Sequence, residues 1–382
     1  MRIQVCPALM DWIVFLVLFA VLYSAGERGL TGSQRAWLGA IAMVTYTVVS
    51  LLVGLVLTRR NARRLLLLST VLTTVLGAAS LMLEDFVVQM VCLGLLGMGL
   101  ATFFNAFQTF MRGETVPGAL ALTVARYTLA WSAGSSLGFL SSGTVYRMGN
   151  LALGGVDVAV GLGVLLILLQ HRHRDHDEAS ADEHIEQSGG ARAVNPAYVG
   201  VAWCMVFTVM FVQRPLQSLF PAACGQLGIA PAWVGGVLFL HMLVQGVWGH
   251  VMCRFARWRY RRTPIVLFHA TAALMLGLVA WHPSFLLSSA GIVVLGLYTG
   301  FAYFSAVYYS SNSGRRSLNI GINECLVGLG GLAGLFASER WTAHTGSDAA
   351  MFTVGAVALF VSMLLQMLIA SRRPTTTEVT DT

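Results

Sequence analysis

Apolar residues fill this chain in twelve long runs, near residues 9–26, 36–58, 64–83, 86–110, 118–145, 149–170, 197–218, 229–253, 263–281, 284–309, 317–338 and 348–371. A helix crossing about 30 Å of hydrocarbon takes about 20 residues, so each run predicts one membrane-spanning helix. Most breaks between runs are short. The exception is 171–196, HRHRDHDEASADEHIEQSGGARAVNP, which is polar, charged and rich in Gly and Ser. Such a composition cannot bury a core, so it predicts a linker. It divides the chain into 1–170 and 197–382, with six runs in each. The first run has Asp11 near its start and reads as a span, with no cleavable leader evident.

The two halves repeat one another. Gly54 and Arg59 close one span, and Gly249 and Arg254 close another, each pair 195 positions apart. Gly134-x-x-x-Gly138 recurs as Gly330-x-x-x-Gly334 at a shift of 196, and Gly99-Leu-Ala-Thr-Phe103 recurs loosely as Gly300-Phe-Ala-Tyr-Phe304 at 201. The expectation is an all-α polytopic membrane protein with twelve transmembrane helices in two pseudo-symmetric six-helix bundles. Many secondary transporters hold their substrate between two such repeats.

Composition excludes a water-facing exterior. The chain is 56% hydrophobic and 11% charged, with mean hydropathy +0.72; soluble domains carry about 25% charged residues. The partner this surface requires is the lipid bilayer. All 24 basic residues are arginine, and the net charge is +7. That charge does not point to nucleic acid, because the arginines gather in alternate loops. With the N-terminus inside, inner loops hold eighteen: Arg2, Arg59, Arg60, Arg63, Arg64, Arg112, Arg172, Arg174, Arg192, Arg254, Arg257, Arg259, Arg261, Arg262, Arg315, Arg316, Arg372 and Arg373. Outer loops hold four, Arg28, Arg35, Arg147 and Arg340. This bias predicts a multi-pass protein of the cell (inner) membrane with both termini cytoplasmic. The six cysteines lack metal or disulfide spacing and read as small hydrophobes. The linker histidines, His171, His173, His176 and His184, have no ordered scaffold to hold a metal. No cofactor is expected. No Gly-x-x-x-x-Gly-Lys loop exists, which argues against ATP-driven pumping by this chain alone. His-x-x-x-His and His-Glu-x-x-His sites are also missing, which argues against an intramembrane enzyme.

Twelve spans, a half-length repeat and a polar central loop resemble the major facilitator superfamily over nearly the whole chain. That family's loop between helices 2 and 3 reads Gly-x-x-x-Asp-Arg-x-Gly-Arg-Arg/Lys. Gly54, Arg59 and Arg63 match it; Thr58 stands for the Asp, Asn61 for the second Gly and Ala62 for the first Arg of the closing pair. In the family the Asp locks a cytoplasmic gate by charge pairing, which Thr58 cannot do. Cys253 holds that place in the second copy. Helix 5 resembles the antiporter motif Gly-x-x-x-Gly-Pro-x-x-Gly-Gly through Gly134 and Gly138, with Phe139 for Pro, a hint of efflux. The resemblance implies alternating access, with helices 1, 4, 7 and 10 around a cavity. These helices offer Phe15, Phe19 and Tyr23; Thr102, Phe103, Asn105, Phe107 and Gln108; and Tyr298, Tyr303, Ser305, Tyr308 and Tyr309. Aromatics with a few amides and hydroxyls suit a neutral or amphipathic organic solute.

Ionisable groups within a span are costly and mark candidate sites. Glu324 is the candidate coupling or substrate residue, since a carboxyl can take a proton. Arg126, at nearly the same level of the opposite half, keeps its charge and suits substrate or carboxylate binding. Arg214, in Gln213-Arg214-Pro215, reads with Gln213 and Gln217 as lining an outer cavity. Asp157 is a weaker candidate on a peripheral helix. Asp11 reads as a first-turn residue serving the helix N-terminus, and His241 as a hydrogen-bonded core residue. The Gly and Ser residues of helices 5 and 11 predict close, movable helix contacts. The expectation is a monomeric secondary transporter that moves a small-molecule substrate with protons or another coupling ion. The alternative is a non-transporting membrane sensor or assembly protein on the same scaffold.

Overall fold

A computed structural model describes residues 5–112, 120–171, 195–311 and 316–371. Among these residues the chain forms twelve α-helices and no strand. They are α1 (Cys6–Glu27), α2 (Gly32–Val56), α3 (Arg59–Met82), α4 (Phe86–Arg112), α5 (Leu120–Val145), α6 (Asn150–Gln170), α7 (Ala197–Gln226), α8 (Pro231–Cys253), α9 (Arg262–Trp281), α10 (Phe285–Ser311), α11 (Arg316–Thr345) and α12 (Ala350–Ser371). Most of the expected linker, 172–194, lies outside the described residues. Two helices run well past their apolar stretches. Helix α7 continues through Pro215 and Pro221, and α11 extends through Ser338-Glu339-Arg340 to Thr345. Helix α7 stays buried through Gly225, whereas the end of α11 from Arg340 to Thr345 is largely exposed.

The substituted gate motif has a local structural role. Thr58 is the N-cap of α3: its hydroxyl accepts from the Asn61 amide (3.3 Å), and the Asn61 side chain accepts from the Thr58 amide (2.8 Å). The Thr and Asn that depart from the family motif therefore form a capping box, which satisfies two orphan donors at the helix start. Thr31 and Gln34 cap α2 the same way.

Among the described residues, ten helices are long and apolar enough to cross a bilayer; α5 and α11 are not among them. Their small polar residues face protein. Gly134 and Gly138 of α5 lie against the backbone of Ala8 and Trp12 on α1, where a Cβ would collide. Gly330 and Gly334 of α11 lie likewise against Phe207 and Phe211 on α7. Pro215 has no amide hydrogen to give the Phe211 carbonyl, and that carbonyl packs on Gly334.

These matched contacts fix the register of the repeat. Ala8 and Phe207 stand 199 positions apart, as do Trp12 and Phe211. Gly97 meets the Ala42 carbonyl as Gly296 meets that of His241, again at 199. Arg63 donates to the last carbonyls of α6, Leu168 and Leu169 (both 3.3 Å), as Arg262 donates to Ala370 of α12 (2.8 Å). Helices α1–α4 thus match α7–α10 at 199, while α5 matches α11 at 196. Two sequence pairings are corrected. Gly249 aligns with Ser50, one helical turn from Gly54. Gly99 faces Thr73 of α3, whereas Gly300 faces the Gln245 carbonyl of α8.

The Gly-x-x-x-Gly faces expected to form close, movable contacts each pack inside one bundle. The halves meet elsewhere: α5 on α8 (Ser132 on Gly246, Gly143 on Gly235), α2 on α11 (Thr47 on Gly328) and α1 on α7 (Gly26 on Ala222, Tyr23 on Gly225). Helices α1 and α7 are the most enclosed. A helix apolar on every side belongs at the centre of a bundle.

Candidate functional site

Between the halves lies a cavity of about 50 Å³, walled by α1, α2, α4, α5, α7, α10 and α11. A water occupies about 30 Å³ of liquid, and pockets for organic ligands span about 300–1,000 Å³. At this volume the site has room for a few waters and none for an organic solute.

Three charged side chains line it: Asp11 from α1, Arg214 from α7 and Glu324 from α11. Asp11 and Arg214 come from opposite halves and line the same cavity. They share no direct ion pair, and Asp11 Oδ2 and Arg214 Nε are buried without hydrogen-bond partners. The Arg214 guanidinium lies 5.5 Å from the Phe15 ring centroid and donates through Nη1 to Gln217 Oε1 (3.0 Å). Its stem fills the space beside Gly331, where a Cβ would meet Arg214 Cγ at 2.9 Å. Glu324 is half-buried, and Tyr46 of α2 donates to its Oε2 (3.0 Å). That bond crosses from one half to the other. The remaining wall is aromatic. Phe15, Phe104 and Tyr127 line it, and Trp131 of α5 stacks on Tyr303 of α10, centroids 4.9 Å apart and planes 11° apart. This stack also bridges the halves.

The end holding the α1–α2 loop is closed. Tyr23 donates to the Ile229 carbonyl (2.5 Å), and Arg35 donates to Gln226 (2.7 Å). Gly26 packs on Ala222 and Gly225 on Tyr23, so the backbones of α1 and α7 touch there.

Several candidates lie elsewhere. Arg126 is exposed on α5 and does not line the cavity. Gln213 turns away into α8, donating to Gln245 (2.7 Å) and approaching His241 Nε2 (3.1 Å). His241 Nδ1 faces the Ile292 carbonyl (2.7 Å), so it carries the proton and Nε2 accepts. Gln245 donates in turn to Ser132 of α5 (3.1 Å). His241 is thus the hydrogen-bonded core residue expected. Asn105 binds Ser50 of α2 and its own helix. Ser305 is buried with its hydroxyl unpartnered, outside the cavity lining. Of the α10 tyrosines, only Tyr303 lines the cavity; Tyr308 and Tyr309 pack on Trp258 in the loop after α8. Tyr23 belongs to the closed end. Among the gate residues, Arg63 caps α6, Gly249 packs on Thr128 and Arg254 is the exposed C-cap of α8. The side chains at Gly54, Arg59 and Gln108 lie outside the described set.

Asp11 needs correction. Helix α1 starts at Cys6, so Asp11 sits in its second turn, 3% exposed, facing the cavity. Tyr46 and Trp131 were not singled out by the sequence. Residues 199 apart could have flagged one of them: Tyr46 is the counterpart of Gln245, another polar side chain in an apolar run.

A family model described as Major Facilitator Superfamily matches residues 3–314. No curated protein matches the chain by sequence. Solved structures share the fold over nearly full length. The nucleoside transporter NupG is 10% identical with TM-score 0.67, covering 98% of this chain and 100% of its own. The human organic anion transporter MFSD10 (TETRAN) is 14% identical with TM-score 0.64, covering 95% and 98%. A bacterial homolog of the human lysosomal transporter Spinster, inward-facing and unoccupied, is 12% identical with TM-score 0.62, covering 96% and 94%. At these identities the likeness is one of fold. The family match spans most of the chain, and the protein belongs to the Major Facilitator Superfamily of membrane transporters.

Proposed function

We propose that this protein is a secondary transporter of a small organic solute, coupled to protons through Glu324 and working by alternating access. The observation that carries the reading is the Tyr46–Glu324 bond (3.0 Å). It places an ionisable carboxyl on the cavity wall and ties it to the opposite half. A coupling group must meet both solute and moving interface; in support, Glu324 lines the cavity and bonds across the halves. Arg214 supplies a fixed charge and Asp11 a second polar group for the solute, and the aromatic wall supplies apolar contact. The arginine bias supports a cytoplasmic placement for both termini, which makes the closed α1–α2 end the outer one.

The test uses proteoliposomes loaded with a mixed pool of small organic solutes. Solutes moved under an imposed pH gradient are identified by mass spectrometry. The expected result is gradient-driven accumulation or depletion of a defined solute by the wild type. Glu324→Gln abolishes it and leaves solute exchange without a gradient intact. Gradient-driven movement in Glu324→Gln equal to the wild type refutes the coupling role. A pool left unchanged by the wild type refutes transport and favours a sensor or assembly role.

A further inference from the structure

The cavity has features that specify a solute class, taking the transport reading as given. Asp11 and Arg214 are 3% and 9% exposed, on opposite halves, and each keeps a buried polar atom without a partner. Both side chains line the same cavity, and they share no direct ion pair. A solute with only a negative group would engage Arg214 and leave Asp11 uncompensated; a solute with only a positive group would do the reverse. A buried charge left alone is strongly unfavourable. A dipolar solute satisfies both. Its carboxylate meets the guanidinium, and its ammonium meets the Asp11 carboxylate.

The aromatic wall specifies the rest of the molecule. Trp131 and Tyr303 come one from each half and lie parallel, 4.9 Å apart. Both rings line the cavity. When the halves part, each ring loses its partner at the site where a solute must sit. A flat ring inserted there restores a stacked contact to each, and such pairs contribute about 0.5–1.5 kcal/mol beyond their buried area. We propose that this transporter takes an aromatic zwitterion, its ring between Trp131 and Tyr303 and its charged groups on Asp11 and Arg214.

Four probes share one ring and differ in charge: tryptophan (zwitterion), indole-3-acetate (anion), tryptamine (cation) and indole (neutral). Binding of each to the full-length protein in nanodiscs is read by calorimetry. The expected order places tryptophan about tenfold or more tighter than the other three. Asp11→Asn should weaken tryptophan and tryptamine and spare indole-3-acetate. Arg214→Gln should weaken tryptophan and indole-3-acetate and spare tryptamine. Should Arg214→Gln fail to fold, Arg214→Lys keeps the charge but not the fork and should weaken tryptophan the more modestly. Equal affinity for all four probes, tighter binding of a singly charged probe, or no binding of tryptophan overturns the proposal. Movement of a non-aromatic solute in the pool experiment would overturn it too, while leaving proton-coupled transport standing.

Discussion

Adding one methyl group to Gly134 or Gly334 should destabilise the protein, and adding it to Gly155 or Gly277 should not. At Gly134 a Cβ would overlap the Ala8 backbone, and at Gly334 that of Phe211. Neither neighbour is a flexible side-chain tip, so relief requires α1 to lift from α5, or α7 from α11. At Gly155 and Gly277 nothing lies within 4 Å. All four positions are helical, so the helix-propensity gain from Gly to Ala, about 0.5–1 kcal/mol, is common to them and cancels in the comparison. What remains is overpacking, about 1–3 kcal/mol. At about 2–4 °C per kcal/mol for a chain of this order, Gly134→Ala and Gly334→Ala should melt about 2–12 °C below Gly155→Ala and Gly277→Ala. Thermal unfolding of the four purified variants in one detergent measures this. Coincident melting of the tight and open pairs would refute the reasoning that these glycines set the α1–α5 and α7–α11 approach.

Three further outcomes follow from local contacts. Thr58→Ala removes the α3 cap and should lose about 1 kcal/mol of stability, while Thr58→Asp, another strong N-cap, should retain it; both are read by thermal melting. Gln213→Leu strips the donor from Gln245 Oε1 and His241 Nε2, leaving buried acceptors at about 1–3 kcal/mol each. Gln213→Leu/Gln245→Leu should recover part of that loss in the same assay. Tyr46→Phe removes only the hydroxyl on Glu324 and should lower gradient-driven solute movement in proteoliposomes more than ungated exchange; equal effects on both would assign Tyr46 to packing.

The fold was legible because lipid imposes length and polarity on every span. Twelve apolar runs gave twelve helices, and the repeated Gly-x-x-x-Gly marked α5 and α11 as counterparts. The details that failed depend on helix rotation, which apolar runs do not encode when every face is apolar. Asp11 shows this: α1 is buried on all sides, so no stripe in its sequence says which face meets the cavity. Gln213 and Arg214 are neighbours, about 100° apart around a helix of 3.6 residues per turn, and they part company into α8 and the cavity. The glycine pairings at 195 and 201 failed for a different reason. Both halves are rich in glycine, and a chance match one turn off looks as good as a true one. Glu324 and Arg214 stood out because a charge in an apolar run is conspicuous, and both line the cavity. Arg126 was equally conspicuous, but it is exposed.

The repeat also makes the site's asymmetry interpretable. The two long interfaces between the halves, α2 on α11 and α8 on α5, are counterparts, and each carries a polar bridge. One runs from Tyr46 to Glu324, the other from Gln245 to Ser132. Tyr46 and Gln245 stand 199 positions apart and so occupy the same place in the two halves. Only the Tyr46 bridge ends on an ionisable group. A hydrogen bond to a carboxylate is about twice as strong as one between neutral groups. In the proposed mechanism, proton uptake at Glu324 would weaken the α2–α11 bridge and leave the α5–α8 bridge as it is. A ligand shifts a conformational balance only through unequal affinity for the two states. In the proposed mechanism, the proton acquires that inequality from a clasp present when α2 and α11 are together and broken when they part. The neutral Gln245–Ser132 bridge gives the opposite interface no such dependence, so in that mechanism the α5–α8 contact would act as the hinge.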